Sequence, residues 1–172
     1  MPQATGAPRR GAPSFWPHIG LIMAAALFVT ALFPGVRILD ITVDGEIIRE
    51  ALAHSGDEIV FSHIHSVENS PVNEFFRLEG DGFRLVRAEM RALGAGLPTT
   101  PVGYFALVDG TFVQSFNLKL PELMFMLAPS TMPALYHAGE KIDLSIYPLG
   151  TSLGLKIVRR PLLWLQLRRI AP

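Results

Sequence analysis

Between His63 and Glu74 the chain reads His-Ile-His-Ser-Val-Glu-Asn-Ser-Pro-Val-Asn-Glu, which gathers two of its five histidines and two carboxylates into one short stretch. Histidines two apart on a strand leave the sheet on the same side. His63 and His65 with Glu68 or Glu74 would therefore offer a nitrogen and oxygen donor set suited to zinc or a similar ion. No fixed metal motif such as a helical H-E-x-x-H accompanies them, and a hydrogen-bonded His and Glu pair that orients a turn uses the same residues. Ser66 raises a third chemistry, a serine hydrolase. Its neighbour His65 projects to the opposite face of an extended chain, and a G-x-S-x-G elbow is absent, so a Ser-His dyad forms only if the turn begins there.

A second motif follows at Gly94-Ala95-Gly96-Leu97-Pro98. It has neither the spacing of a dinucleotide or P-loop fingerprint nor a helix after it. Gly94 and Gly96 either supply positive φ for a turn or aim backbone N–H groups at a carboxylate, whether a ligand's or that of Glu68 or Glu74. Arg91 stands just before it.

These residues must be positioned by strands. Period-two alternation marks Leu39 to Val43, and Asp44-Gly45 supplies a hairpin turn before Glu46 to Ile48. Further strands are predicted over Glu58 to His65, Val72 to Leu78, Phe83 to Met90, Tyr104 to Val108, Thr111 to Asn117, Lys141 to Tyr147 and Leu153 to Arg159, with glycine-bearing turns between them. The expectation is an all-β domain over residues 37–160, an antiparallel sandwich or barrel. Alternation puts Ile59, Phe61, His63 and His65 on one face, and Val72, Glu74, Phe76 and Leu78 on one face of the next strand. Glu74 then sits on an apolar stripe and needs a partner, either a neighbouring His or Arg87, whose alternation matches Phe83, Leu85 and Glu89.

Ahead of this domain, no charge falls between Arg10 and Arg37, and Phe15 to Phe33 is almost wholly apolar. About 20 helical residues match a ~30 Å hydrocarbon core, so residues 15–34 are expected to form one N-terminal transmembrane helix or signal anchor. Arg9 and Arg10 place residues 1–14 in the cytoplasm as a disordered tip and the β-domain outside. A cleaved signal peptide is the rival, with Val29-Thr30-Ala31 as its small-residue site.

The 172 residues are 49% hydrophobic, enough for one modest domain. Lys plus Arg and Asp plus Glu both number 15, which argues against a nucleic-acid partner. Arg9, Arg10, Lys156, Arg159, Arg160, Arg168 and Arg169 lie at the two ends, leaving a body of eight basic against 15 acidic residues. The lack of cysteine excludes disulfides, thiolate metal sites, cysteine catalysis and a lipid-modified cysteine anchor. Nothing in the sequence specifies a cofactor.

Leu118 to Leu135 carries Met124, Met126 and Met132 among apolar residues and prolines, fitting either a partner-binding edge or core filling. Arg159 to Arg169 is too short to span a bilayer; it reads as a last strand or, with residues 161–172 as a basic segment, as a Trp-bearing piece on the membrane surface.

His65-Ser66-Val67-Glu68, Pro71-Val72 and Glu74-Phe75, followed by Gly94-Ala95-Gly96-Leu97-Pro98, resemble the bacterial family called domain of unknown function 1850, over roughly Leu39 to Arg159. The resemblance implies a small exported or membrane-anchored protein encoded beside TAXI-type TRAP transporters, which take up organic anions. It places the motif positions at His65, Ser66, Glu68, Pro71, Glu74, Gly94, Gly96 and Pro98. His63 stands where the family pattern has an aromatic, and Ala92 where it has a serine. The expected function is thus a membrane-anchored periplasmic binding or accessory protein of such a transporter. The alternative is a metal-dependent or serine-type hydrolase built on His65, Glu68 and Glu74.

Overall fold

The computed structural model describes residues 16–32, 34–92 and 104–161 and divides into two units, residues 1–34 with 161–172, and residues 35–160. In the first unit, helix α1 runs over Trp16–Leu32. Its large apolar side chains from Ile19 to Val29 are exposed all round, so it has no buried stripe of its own. Seventeen residues rise ~25 Å. No helix among the described residues is long and apolar enough to cross a membrane.

The second unit is built from strands. In chain order these are β1 (Pro34–Val43), β2 (Glu46–Leu52), β3 (Glu58–Ile64), β4 (Pro71–Glu79), β5 (Gly82–Met90), β6 (Phe105–Val108), β7 (Thr111–Leu120), β8 (Glu122–Met126), β9 (Ala134–His137), β10 (Glu140–Asp143) and β11 (Ser152–Pro161). They form a four-stranded sheet in the order β2-β1-β11-β8 and a seven-stranded sheet in the order β10-β9-β3-β4-β5-β7-β6. The expected antiparallel pairing is observed. Each sheet keeps two edges, so the barrel alternative does not form. The hairpins turn where left-handed backbone is cheapest. Asp44 and Gly45 (φ 49° and 85°) join β1 to β2, and Asp109 and Gly110 (φ 48° and 77°) join β6 to β7.

One core unites the sheets. Leu39, Ile41, Leu123, Leu153 and Leu155 from the smaller sheet meet Ile59, Phe61, Phe76, Leu78, Phe83 and Leu135 from the larger. Phe125 of β8 stacks on Phe61 at 4.0 Å between ring centroids and meets Phe76 edge-on at 5.9 Å. A smaller cluster of Val72, Ala88 and Met90, flanked by Phe112 and Phe116, fills the other end of the same face.

Three sequence expectations change. β8 and β9 arise inside the methionine-rich stretch, where no strands were predicted. β8 buries Leu123 and leaves Met124 and Met126 about 70% exposed at a sheet edge, so these methionines face outward and do not fill the core. The strand expected over Lys141 to Tyr147 stops at Asp143. There the Asp143 carboxylate accepts from the backbone N–H of Ser145 at 3.0 Å and from its hydroxyl at 2.7 Å, and the Ser145 side-chain bond foremost holds this carboxyl below its usual range.

Candidate functional site

β3, the following turn and β4 carry the first motif. β3 pairs antiparallel with β4 so that Phe61 faces Glu74 and His63 faces Val72. Ile59, Phe61 and His63 share the core-facing side as alternation requires; the His63 ring lies 5.5 Å from that of Phe61. β3 ends at Ile64, and His65 belongs to the turn. Its N–H donates to the carbonyl of Ser70 at 2.8 Å, and its Nδ1 accepts from the N–H of Glu68 at 3.2 Å. His65 is thus bound into its own loop from both ends. Asn69 completes the reversal with a φ of 45°.

The turn separates the candidate groups. Ser66, Val67, Glu68 and Asn69 are exposed, while His63 and Glu74 turn inward. No three of the described His, Asp and Glu side chains are arranged to hold a metal ion, so the set His63, His65, Glu68 and Glu74 is not assembled. The physical reason is local: Glu68 rides on the tip of a solvated turn, and Glu74 sits deeper along a strand. His65 accepts the Glu68 N–H on its Nδ1, and among the described residues no hydrogen bond joins Ser66 to a base.

Glu74 occupies the position that alternation predicted. Across the sheet its row reads Phe61, Glu74, Ala88 and Gln114 on β3, β4, β5 and β7. Along β4 its same-face neighbours are Val72 and Phe76, both buried. This apolar frame desolvates the carboxyl and raises its pKa from the ordinary value. Among the described residues no hydrogen bond or ion pair engages it, so the expected network with His65 or an arginine is absent. His63, diagonal to Glu74 on the same face, shifts in the opposite sense. Burial, with His65 as a lesser cause, lowers its pKa, and its Nδ1 is buried without a hydrogen-bond partner. Both groups are driven toward neutrality.

The expectation for Arg87 fails because of a bulge. Phe76 pairs with Leu85, yet Phe75 pairs with Arg87, so Val86 is an extra residue in β5. Ala88 and Met90 therefore replace Arg87 and Glu89 on the core face. Arg87 turns outward, lies 3.5 Å over the Phe75 ring and pairs with Glu89 at 2.9 Å and Glu58 at 3.5 Å.

Gln114 is a buried polar residue that sequence reasoning missed. It is wholly buried in the Glu74 row, one strand beyond Ala88. Its signal was the same as that of Glu74, a polar residue between Phe112 and Phe116 on an apolar stripe. Gly94, Gly96 and Pro98 lie outside the described residues, as do residues 162–172.

The family model for Domain of unknown function (DUF1850) matches residues 59–144, half of the chain. That interval runs from β3 through β10 and takes in the whole of the seven-stranded sheet except the first residue of β3. Nothing among curated proteins and nothing among solved structures matches the chain.

Proposed function

The chain belongs to the DUF1850 family, and from that membership we propose that it is a membrane-anchored periplasmic binding or accessory protein that works with a TAXI-type TRAP transporter for organic anions. The observation that carries binding over hydrolysis is the use made of His65. Its Nδ1 accepts from the Glu68 N–H and caps the turn, and among the described residues no hydrogen bond joins the exposed Ser66 to a base. Of the other ionisable groups of the motif, the two that turn inward, His63 and Glu74, are desolvated toward their neutral forms, which suits a recognition or structural centre.

Anchoring is supported by α1. α1 alone is not long enough to cross, but it lies within the charge-free, almost wholly apolar run from Phe15 to Phe33, and its large side chains from Ile19 to Val29 are exposed all round, a surface for which lipid is the natural solvent. Arg9 and Arg10 favour a cytoplasmic N-terminus and a single pass with the β-domain in the periplasm. The acidic balance of that domain disfavours nucleic acid as a partner.

The test is affinity capture of the full chain from detergent-solubilised bacterial membranes, with the co-purifying proteins identified. Recovery of a TAXI-type TRAP subunit or its binding protein is the expected result. A soluble chain lacking residues before Leu32, or capture that never contains a transport component, overturns the proposal.

A further inference from the structure

A second ionisable centre lies outside the motif, where the turn between β2 and β3 faces the end of β9. The turn is rigidly built. The Asp57 carboxylate accepts from the backbone N–H of His54 at 2.8 Å, Gly56 N–H donates to Leu78 carbonyl at 2.9 Å, and Leu78 N–H donates to Asp57 carbonyl at 2.8 Å. Gly56 takes a φ of 94° to allow this, and the turn is thereby fastened to β4. Opposite it, His137 closes β9 in register with Ile59 on one side and Glu140 on the other. Its side chain is 8% exposed, and its Nε2 is buried with no hydrogen-bond partner, 4.0 Å from Oδ2 of Asp57.

Beside them opens a groove of about 390 Å³ lined by Leu52, His54, Asp57, Glu58, His137 and Ala138. The charged groups around His137 are accounted for. From β2, Arg49 is paired with Glu140 of β10. From β3, Glu58 is paired with Arg87 at 3.5 Å. From the turn, His54 approaches Asp57 at 3.4 Å. Asp57 is thus the acid nearest the imidazole, and these groups are not arranged to hold a metal ion.

We propose that His137 and Asp57 form a proton-operated latch, in which a proton taken from solvent onto Nε2 turns the 4.0 Å gap into a charge-assisted hydrogen bond. The bond fastens the β9–β10 hairpin to the β2–β3 turn at the edge of the groove. Closure requires a movement of about 1 Å to reach the usual length of such a bond. It adds a conditional tie beside the standing Arg49–Glu140 pair, which already joins β2 of the smaller sheet to β10 of the larger. At neutral pH the latch is open. Burial is the main influence on His137 and holds its pKa below the ordinary 6.5, with Asp57 opposing that shift, so mild acid is needed to close it.

The experiment is amide hydrogen exchange of the full chain in detergent micelles at about pH 7 and about pH 5, corrected for intrinsic exchange rates. Residues 134–143 are expected to exchange about 5-fold more slowly in acid, and Asp57→Asn should abolish the slowing while leaving exchange at neutral pH unchanged. His137→Gln, which cannot take up the proton, should abolish the slowing too; Asp57 is partly exposed, so Asp57→Asn stays testable even if the His137 variant fails to fold. Unchanged or faster exchange of the hairpin in acid, or equal slowing in Asp57→Asn, overturns the latch.

Discussion

The backbone N–H of Glu68 donates to Nδ1 of His65 across three residues, at 3.2 Å. The imidazole acts here as an acceptor for its own turn. His65→Ala should loosen the loop and cost about 1 kcal/mol, whereas His65→Asn keeps an acceptor within reach and should cost less. Denaturant unfolding of the two variants checks this. Equal loss in both would mean that the ring, and not its acceptor atom, matters.

Glu74 sets a pH dependence. Its folded-state pKa is raised above the ordinary 4.5, so the folded protein binds this proton more tightly than the unfolded chain. The contribution to stability is full below about 4.5 and is lost as pH rises through the folded value. Glu74→Leu should therefore be tolerated, and its melting temperature should gain on that of the parent as pH rises above about 4.5 toward neutrality. A variant that melts lower at every pH would show that the carboxyl holds donors from outside the described residues.

His63 gives the opposite slope. Its folded pKa is lowered below 6.5, so the unfolded chain takes up the proton first and stability falls as pH drops below 6.5. His63→Phe retains a ring beside Phe61 and removes the titration. Thermal unfolding near neutrality should be little changed, while the variant should lose less between about pH 7 and pH 5 than the parent. Parallel pH profiles would refute a desolvated imidazole at this position.

Gly154 and Thr42 form a close contact between β11 and β1. Thr42 Oγ1 donates to the Gly154 carbonyl at 3.2 Å, and a Cβ on Gly154 would lie 2.6 Å from that oxygen. Gly154→Ala should cost about 1–3 kcal/mol. Adding Thr42→Ala removes the obstructing hydroxyl, so the double variant should be more stable than the sum of the single losses predicts. Strict additivity in a double-mutant cycle would show that the methyl is relieved elsewhere.

Much of this was legible because it is local. Asp44-Gly45 and Asp109-Gly110 announce hairpins since few residues accept left-handed backbone, and both turns occur. Period-two alternation placed Glu74 on the face of Val72, Phe76 and Leu78, and the register keeps it there. The apolar helix and the family motif between His65 and Glu74 were equally readable, because each depends on residues adjacent in the chain.

The sequence by itself determined most of the antiparallel strands, the apolar N-terminal helix and the strand–turn–strand that carries the histidines, through backbone preferences and a repeat of two that act over a few residues. Tertiary structure alone decided where that repeat breaks and which distant groups meet. The extra residue Val86 turns Arg87 outward and lets Ala88 and Met90 enter the core, a choice set by the packing of β5 between β4 and β7. Val60 carries alternation on both sides of it, yet nothing near position 60 foretells that His137, 78 residues beyond Ile59, will lie beside that strand and 4.0 Å from Asp57. Such pairings follow from the order in which strands join a sheet, and that order is fixed by burial of the whole apolar surface, which no short window of sequence contains.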